Sequence, residues 1–136
     1  MQIKNNILIL FILTLNFIFI NKNIHADEFD ISAQEITIDK ANNTLVGIGS
    51  VVVTDQNGTI IKANKVIYEK TKEFLTATGS VLIQDVDNNI LTSEKITYDK
   101  LNEVINTYEN SKVNFQNEYT LITNNIIYNF DEKIIS

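Results

Sequence analysis

The sequence predicts an all-β protein of antiparallel strands, built from a two-strand unit that recurs every thirty residues. Three observations support this: the recurrence itself, the alternation of apolar and polar residues inside each unit, and polar turn residues between the strands. No helical periodicity is present after residue 26, and the chain contains no proline. The expected fold is therefore a meander of about seven strands.

The recurrence is visible when the chain is written in rows that start at Ile31, Ile61, Leu91 and Leu121. The rows open ISAQEITIDK, IKANKVIYEK, LTSEKITYDK and LITNNIIYNF. The third place is always small, the sixth is Ile or Val, and the eighth is Ile or Tyr. The first two rows continue with Gly-Ser-Val at 49–51 and 79–81, whereas the third row carries its alternation about two places late. We therefore expect a slip in the repeat at residues 110–115.

Each row predicts two strands. In the second strand of the second row, apolar or small residues at 75, 77, 79, 81 and 83 alternate with mostly polar ones, as in a half-buried strand. In the first strand the inward parity changes between Ala63 and Val66, which predicts a bulge or sharp bend. Residues expected to be buried are Val66, Leu75, Val81, Ile83 and Ile96.

Turn residues separate the strands at 39–43, 55–58, 69–72 and 85–89. The last of these, Asp85-Val86-Asp87-Asn88-Asn89, has the alternating oxygen ligands of a calcium loop. However, Ile96 stands where an EF-hand needs a bidentate glutamate. We therefore predict a hairpin turn here and no metal site.

Tyrosine occupies the eighth place of three rows, at Tyr68, Tyr98 and Tyr128. We favour a cross-strand aromatic ladder, although these side chains could also line a ligand groove. The glycines at 47, 49 and 79 have two similar interpretations: they relieve crowding at a bend, or they leave room for a ligand.

Residues 1–26 are predicted to be a signal peptide, and residues 27–136 the repeat domain. Lys4 precedes an apolar run, Ile7–Ile20, and Ala26 suits the cleavage position. The run is shorter than the ~20 residues of a spanning helix, so cleavage is favoured over a membrane anchor. The protein should therefore be exported.

Composition excludes several classes of function. Two of the 11 lysines and none of the 17 acidic residues precede residue 27, so the predicted mature chain carries a formal charge of −8, with no arginine. Such an acidic chain is a poor candidate for binding nucleic acid. There is no cysteine, and the one histidine, His25, lies in the predicted signal. Ser-His and Cys-His catalysis are thereby excluded, and we predict a non-enzyme with no catalytic residues and no cofactor.

The segment Ile61–Lys70, continued by Leu75–Val81, resembles the OstA-like repeat of the lipopolysaccharide transport proteins, found in LptA and at the N-terminus of LptD. The resemblance spans essentially all of residues 27–136. It implies an antiparallel β-jellyroll in the periplasm, associated with the cell envelope and outer membrane. The groove of such a jellyroll shields the acyl chains of lipid A and passes them toward the outer membrane. Its other partners are OstA-like jellyroll proteins, joined by edge-strand pairing.

On this basis the inward apolar places are the expected lipid contacts: Ile36, Val51, Val53, Val66, Val81, Ile83 and Ile96. Because the sequence stops midway through a unit, we expect a domain incomplete at its C-terminus, either LptA-like or part of an LptD-like chain. The last strand, 121–130, would then offer an unpaired edge. The alternative is a structural β-repeat envelope protein, a solenoid or adhesin stalk, with no lipid ligand. The recurrent bend and the slip favour the jellyroll over uniform stacking.

Overall fold

The computed structural model describes residues 29–115, 118–129 and 134–136. The predicted signal peptide lies outside these ranges. No helix in the described ranges is long and apolar enough to cross a membrane. The elements, in chain order, are β1 (Phe29–Ser32), β2 (Glu35–Asp39), β3 (Thr44–Asp55), β4 (Ile60–Glu69), a 3-10 turn (Lys70–Lys72), β5 (Phe74–Gln84), β6 (Ile90–Asp99), β7 (Val104–Tyr108), β8 (Ser111–Phe115), β9 (Tyr119–Thr123), β10 (Ile127–Asn129) and β11 (Ile134–Ile135).

The strands form one antiparallel sheet in the order β1-β3-β4-β5-β6-β7-β10-β11, with β2 beside β3 and β8 between β6 and β9. The all-β antiparallel prediction is thus confirmed. Eleven strands are described instead of the seven expected, because three predicted strands are each interrupted and β11 is additional. The breaks fall at 33–34, 109–110 and 124–126, where the chain turns sharply and pairing is lost.

The long strands bend in their middle, as the parity change predicted. The pairing register shifts between Ile48 and Val51 in β3, and again between Thr78 and Val81 in β5. At each bend in these strands a Gly-Ser pair takes positive φ, with values of 79° and 47° at 49–50 and of 81° and 50° at 79–80. Glycine tolerates this conformation without the penalty that a Cβ would bring. In β4 the register shifts between Lys62 and Lys65, which turns Ala63 and Val66 to the same buried side.

The expected slip in the third row is wrong. Glu109 and Asn110 take φ of 65° and 49°, thirty residues after the second Gly-Ser pair. Leu91 pairs with Val113 just as Ile61 pairs with Ile83, again with a spacing of thirty residues. The bend is therefore kept without a glycine, and a polar residue occupies the next inward place.

That polar residue is Ser111, which is fully buried where the earlier rows have valine. Its hydroxyl lies 2.5 Å from Thr107 Oγ1 and donates to the backbone oxygen of Asn124 at 3.1 Å. Thr107 Oγ1 in turn accepts the backbone N–H of Ile126 at 2.8 Å. These bonds satisfy backbone groups that the interrupted strands leave unpaired, so serine is tolerated inside the core.

The bends divide the sheet into two half-sheets that face each other. The tyrosine half-sheet, which carries Tyr68, Tyr98 and Tyr128, comprises β2, β7, β10, β11 and the segments 44–48, 65–69, 74–78 and 95–99. The aspartate half-sheet, named for Asp55 and for Asp85 in the turn directly after β5, comprises β1, β8, β9 and the segments 51–55, 60–63, 81–84 and 90–93. Phe29 of the aspartate half-sheet packs edge-on against the rings of Tyr68 and Tyr98, at centroid distances of 4.9 and 5.6 Å. The inner faces of both half-sheets therefore form one core.

Candidate functional site

The side chains that line the interior indicate a wedge between the half-sheets, narrow at the bends and wider at the mouth, where the strand ends of the two half-sheets meet. Residues that are paired across neighbouring strands form cross-strand rows on the inner face of the tyrosine half-sheet. The cross-strand row beside the bends alternates large and small residues: Ile36, Gly47, Val66, Ala77, Ile96 and Thr107. The row toward the mouth is uniformly large: Ile38, Leu45, Tyr68, Leu75, Tyr98, Ile105 and Tyr128. Side-chain size thus follows the space available between the half-sheets.

Gly47 shows how closely the half-sheets approach at the bends. A Cβ added there would lie 3.3 Å from Ala33 Cβ and 3.3 Å from Val51 Cγ1. Of the two interpretations for this glycine, relief of crowding is the one that the geometry supports.

Six of the seven predicted lipid-contact residues lie on the inner faces and are at most 3% exposed: Val51, Val53, Val66, Val81, Ile83 and Ile96. The five residues predicted to be buried are among the core, with Leu75 at 0%. Ile36 lies in the same cross-strand row as Val66 and Ile96 but is 44% exposed. Its strand, β2, is at the rim of the sheet and pairs only with β3 among the described strands.

Among the described residues, the interior is filled largely by its own side chains. A cavity of about 20 Å³ lies between the half-sheets, lined chiefly by Ile83, Leu91, Ile105, Val113, Phe115 and Tyr128. That volume corresponds to about one water molecule, whereas small-molecule pockets measure ~300–1,000 Å³. An acyl chain would enter this interior only if the half-sheets separate.

A buried polar network joins the half-sheets at the mouth. The Tyr98 hydroxyl lies 2.7 Å from Glu103 Oε2 and 3.1 Å from Asp55 Oδ2. Lys100 Nζ forms ion pairs with both carboxylates, and its distance to Asp55 is 3.6 Å. The Lys100 and Asp55 side chains are 6% and 1% exposed. Lys100 thus offsets part of the cost of burying these groups, since the two carboxylates share one ammonium and both lie within hydrogen-bonding distance of the Tyr98 hydroxyl.

The same relationship recurs one unit later. The Tyr128 hydroxyl donates to Asp85 Oδ2 at 3.4 Å, and both pairs are separated by 43 residues. Asp85 also closes the turn between β5 and β6, since its Oδ1 accepts the N–H groups of Asp87 at 3.0 Å and Asn89 at 2.8 Å. Residues 85–89 therefore form the predicted turn.

Both tyrosines are held in their protonated form. Burial, together with the neighbouring Asp85 carboxylate, raises the pKa of Tyr128 to about 12. Burial is also the main cause that raises the pKa of Tyr98, assisted by Glu103 and Asp55. The Tyr128 hydroxyl can thus donate to Asp85 across the mouth at neutral pH, whereas the single proton of the Tyr98 hydroxyl is shared between Glu103 and Asp55.

The aromatic ladder was predicted with the wrong neighbours. Tyr68 and Tyr98 both pair with Leu75, and Tyr98 and Tyr128 both pair with Ile105, so aliphatic residues separate the rings within the sheet. The opposite half-sheet instead supplies Phe29, whose ring contacts Tyr68 and Tyr98, while Asp55 and Asp85 contact the hydroxyls of Tyr98 and Tyr128 across the mouth. The equal spacing of the pairs Asp55–Tyr98 and Asp85–Tyr128 was a signal in the sequence that we did not use.

Four strands lie at edges of the described sheet, since β1 and β2 pair only with β3, β9 pairs only with β8, and β11 pairs only with β10. Two of these edges carry exposed apolar side chains. At one edge, β2 carries Ile36 and Ile38; at the other, β9 carries Leu121 and Ile122. The strand predicted at 121–130 is interrupted, and its second part, β10, pairs with both β7 and β11. The free stretch of this edge among the described residues is therefore β9 rather than the whole predicted strand.

Comparison with protein-family models gives no match, and comparison with curated protein sequences gives none either. Among solved structures, the chain is similar to LptH from Pseudomonas aeruginosa, the LptA-homologous periplasmic component of the lipopolysaccharide transport device. The TM-score is 0.70 at 21% identity, over 81% of this chain and 83% of that one. The chain therefore has the LptA-like β-jellyroll fold that the repeat resemblance implied.

Proposed function

We propose that the protein is a periplasmic, non-enzymatic component of lipopolysaccharide transport, exported by its N-terminal segment. The observation that carries this proposal is the bent sheet itself, which shares its fold with LptH and encloses a continuous apolar interior between two facing half-sheets. Transport of this kind needs shielding of acyl chains from water and requires no catalytic group.

The acyl chains of lipid A would lie between the half-sheets, against the inner residues Val51, Val53, Val66, Val81, Ile83 and Ile96, with Ile36 at the rim. Transfer of each methylene from water to this interior contributes ~0.8 kcal/mol. The half-sheets must separate first, so the lipid replaces contacts that the closed form makes with itself.

Passage toward the outer membrane would use the two edges. The exposed backbone of β2 and β9 can pair with strands of other OstA-like jellyrolls, and the described residues of β9 carry no charge or proline to oppose such pairing. Whether the chain acts as an LptA-like bridge or as part of an LptD-like protein depends on what pairs with these edges.

One observation favours a second candidate, a structural envelope element with no lipid ligand. The interior residues are packed against each other, and the cavity between them holds only about 20 Å³. A purely structural jellyroll would need nothing more.

Site-specific photo-crosslinking in cells separates the two candidates. An aliphatic diazirine amino acid at Val66 or Val81, both buried, should capture lipopolysaccharide, whereas the same group at the neighbouring exposed Lys65 should not. Capture at Lys65 alone would show that the inward face is wrongly assigned. No capture at any of the three positions, with the protein folded, would favour the structural element.

A further inference from the structure

The proposed function requires the mouth to open, and the two polar contacts across it are unequal. At the first, Asp55 and Tyr98 are buried and Lys100 forms an ion pair with Asp55. At the second, Tyr128 is only partly buried, and its hydroxyl is 3.4 Å from Asp85, compared with 3.1 Å for Tyr98 and Asp55. Asp85 is buried as well, but no cation among the described residues forms an ion pair with it, and this difference makes the first contact the stronger of the two.

The cavity lies beside the weaker contact. Asp85 and Tyr128 both line it, together with apolar residues of both half-sheets such as Ile83 and Ile105. A void deprives its lining of dispersion contacts. The half-sheets therefore lose fewer such contacts when they separate here than where the interior is fully packed.

The repeat also becomes more apolar along the mouth, from the Asp55–Tyr98 contact toward the Asp85–Tyr128 contact. The place occupied by Asp55 and Asp85 in the first two rows holds Phe115 in the third, and its ring lines the same cavity. Among the described residues, the inner rim of the mouth thus changes from a charged network, through the Asp85–Tyr128 contact, to an aromatic side chain. The described part of the rim is therefore more apolar at this end than at the other.

We propose that the half-sheets open at the Asp85–Tyr128 contact, that acyl chains gain access to the interior there, and that the network of Asp55, Tyr98, Lys100 and Glu103 is the fixed end. The lipid part of this inference rests on the proposed function, whereas the opening itself does not. Tyr128 is accordingly a positioning residue that controls access and does not itself hold the lipid.

The test compares Tyr128→Phe with Tyr98→Phe, two variants that lose the same hydroxyl at opposite ends. The first measurement is uptake of a dansyl-labelled fatty acid by the purified protein, followed by stopped-flow fluorescence. Loss of the Tyr128 bond should increase the uptake rate about two- to tenfold, while Tyr98→Phe should leave it within about twofold. If general loss of stability controlled access, the more buried Tyr98 would give the larger increase, and that result would overturn the proposal.

The second measurement is amide hydrogen exchange without lipid, which reports opening independently of function. Tyr128→Phe should accelerate exchange in β7 and β8, next to the cavity, and leave β3 and β4 unchanged. Equal acceleration in both regions would overturn the assignment of the opening end. If no variant takes up the fatty acid or lipopolysaccharide while exchange follows the expected pattern, the proposed function fails and the opening end stands.

Discussion

The Tyr98 hydroxyl and the Asp55 carboxylate, 43 residues apart in sequence, meet at 3.1 Å across the mouth of the fold. Asp55 ends β3 in the aspartate half-sheet, and Tyr98 lies near the end of β6 in the tyrosine half-sheet. Their contact closes the wedge at the side opposite the bends. The stability of the closed form should therefore depend on a few polar groups as well as on the apolar core.

The first prediction concerns Lys100, whose ammonium lies between Asp55 and Glu103. Replacement by methionine keeps most of the side-chain volume but leaves buried carboxylates without their cation, and should lower the free energy of unfolding by about 3 kcal/mol. The matched control is Lys72→Met, which breaks an exposed pair with Glu69 and should cost less than about 1 kcal/mol. Urea denaturation of both variants measures the difference, and similar losses would contradict the prediction.

The second prediction is a loss of stability in alkali. The pKa of Tyr98 is raised in the folded state, mainly by burial, above the ordinary value of 10.0. The unfolded chain therefore releases this proton first as the pH rises, so the stabilisation is complete below pH 10 and decreases above it. Tyr98→Phe should be less stable than the unmodified protein at pH 8 but should lose less further stability between pH 8 and 11. Urea denaturation at each pH measures the free energy of unfolding of both proteins. If the two values fall in parallel between pH 8 and 11, Tyr98 is not responsible for the loss of stability in alkali.

The third prediction concerns the bends, where equivalent places hold Gly79 and Glu109, with φ of 81° and 65°. A Cβ at Gly79 would also lie 2.8 Å from Asn64 Nδ2. Gly79→Ala should therefore destabilise the protein by about 1–3 kcal/mol. Glu109→Gly should stabilise it by up to about 1 kcal/mol, because the strain of a non-glycine residue at positive φ is removed. Thermal unfolding measures both changes, and a loss of stability in Glu109→Gly would contradict this account of the bend.

The bends also show how far the sequence predicts the fold. The parity change at Ala63–Val66 predicted them, because alternation of inward residues is a local property of the chain. The third bend was mistaken for a slip because Glu109-Asn110 replaces glycine and Ser111 replaces valine. Ser111 is accommodated by hydrogen bonds to Thr107, four residues before it, and to Asn124, which becomes its neighbour only after folding.

The candidate site likewise has features that the sequence predicts and features that it does not. Burial of Val66, Val81 and Ile96 follows from period-2 patterning and could be predicted strand by strand. The contacts of Tyr98 and Lys100 with Asp55 could not, because they join strands that lie opposite each other rather than side by side. The close packing of the described interior was also not predicted, since alternation indicates which side chains point inward but not how closely the two half-sheets approach.

The last prediction concerns association of the domain through its edges. Pairing of β2 in one copy with the β9 edge of another is head-to-tail, so it does not close on itself and can extend. Association should therefore increase with concentration, as measured by light scattering. Proline at Ile126 is a poor probe of edge pairing, because the Ile126 N–H already donates to Thr107 Oγ1 within the fold. Lysine at an exposed apolar position of each edge changes the edge without removing a hydrogen bond of the fold.

Ile38→Lys alters the β2 edge, and Leu121→Lys alters the β9 edge. Each should weaken self-association at least about tenfold, because an ammonium would be buried without a partner. Leu101→Lys, at an exposed turn 67% accessible to solvent, is the matched control and should leave association unchanged. An equimolar mixture of the two edge variants should form heterodimers and nothing larger, because each copy retains one intact edge and the two intact edges are complementary. Dimers of Ile38→Lys alone, as abundant as those in the mixture, would show that the contact does not join unlike edges.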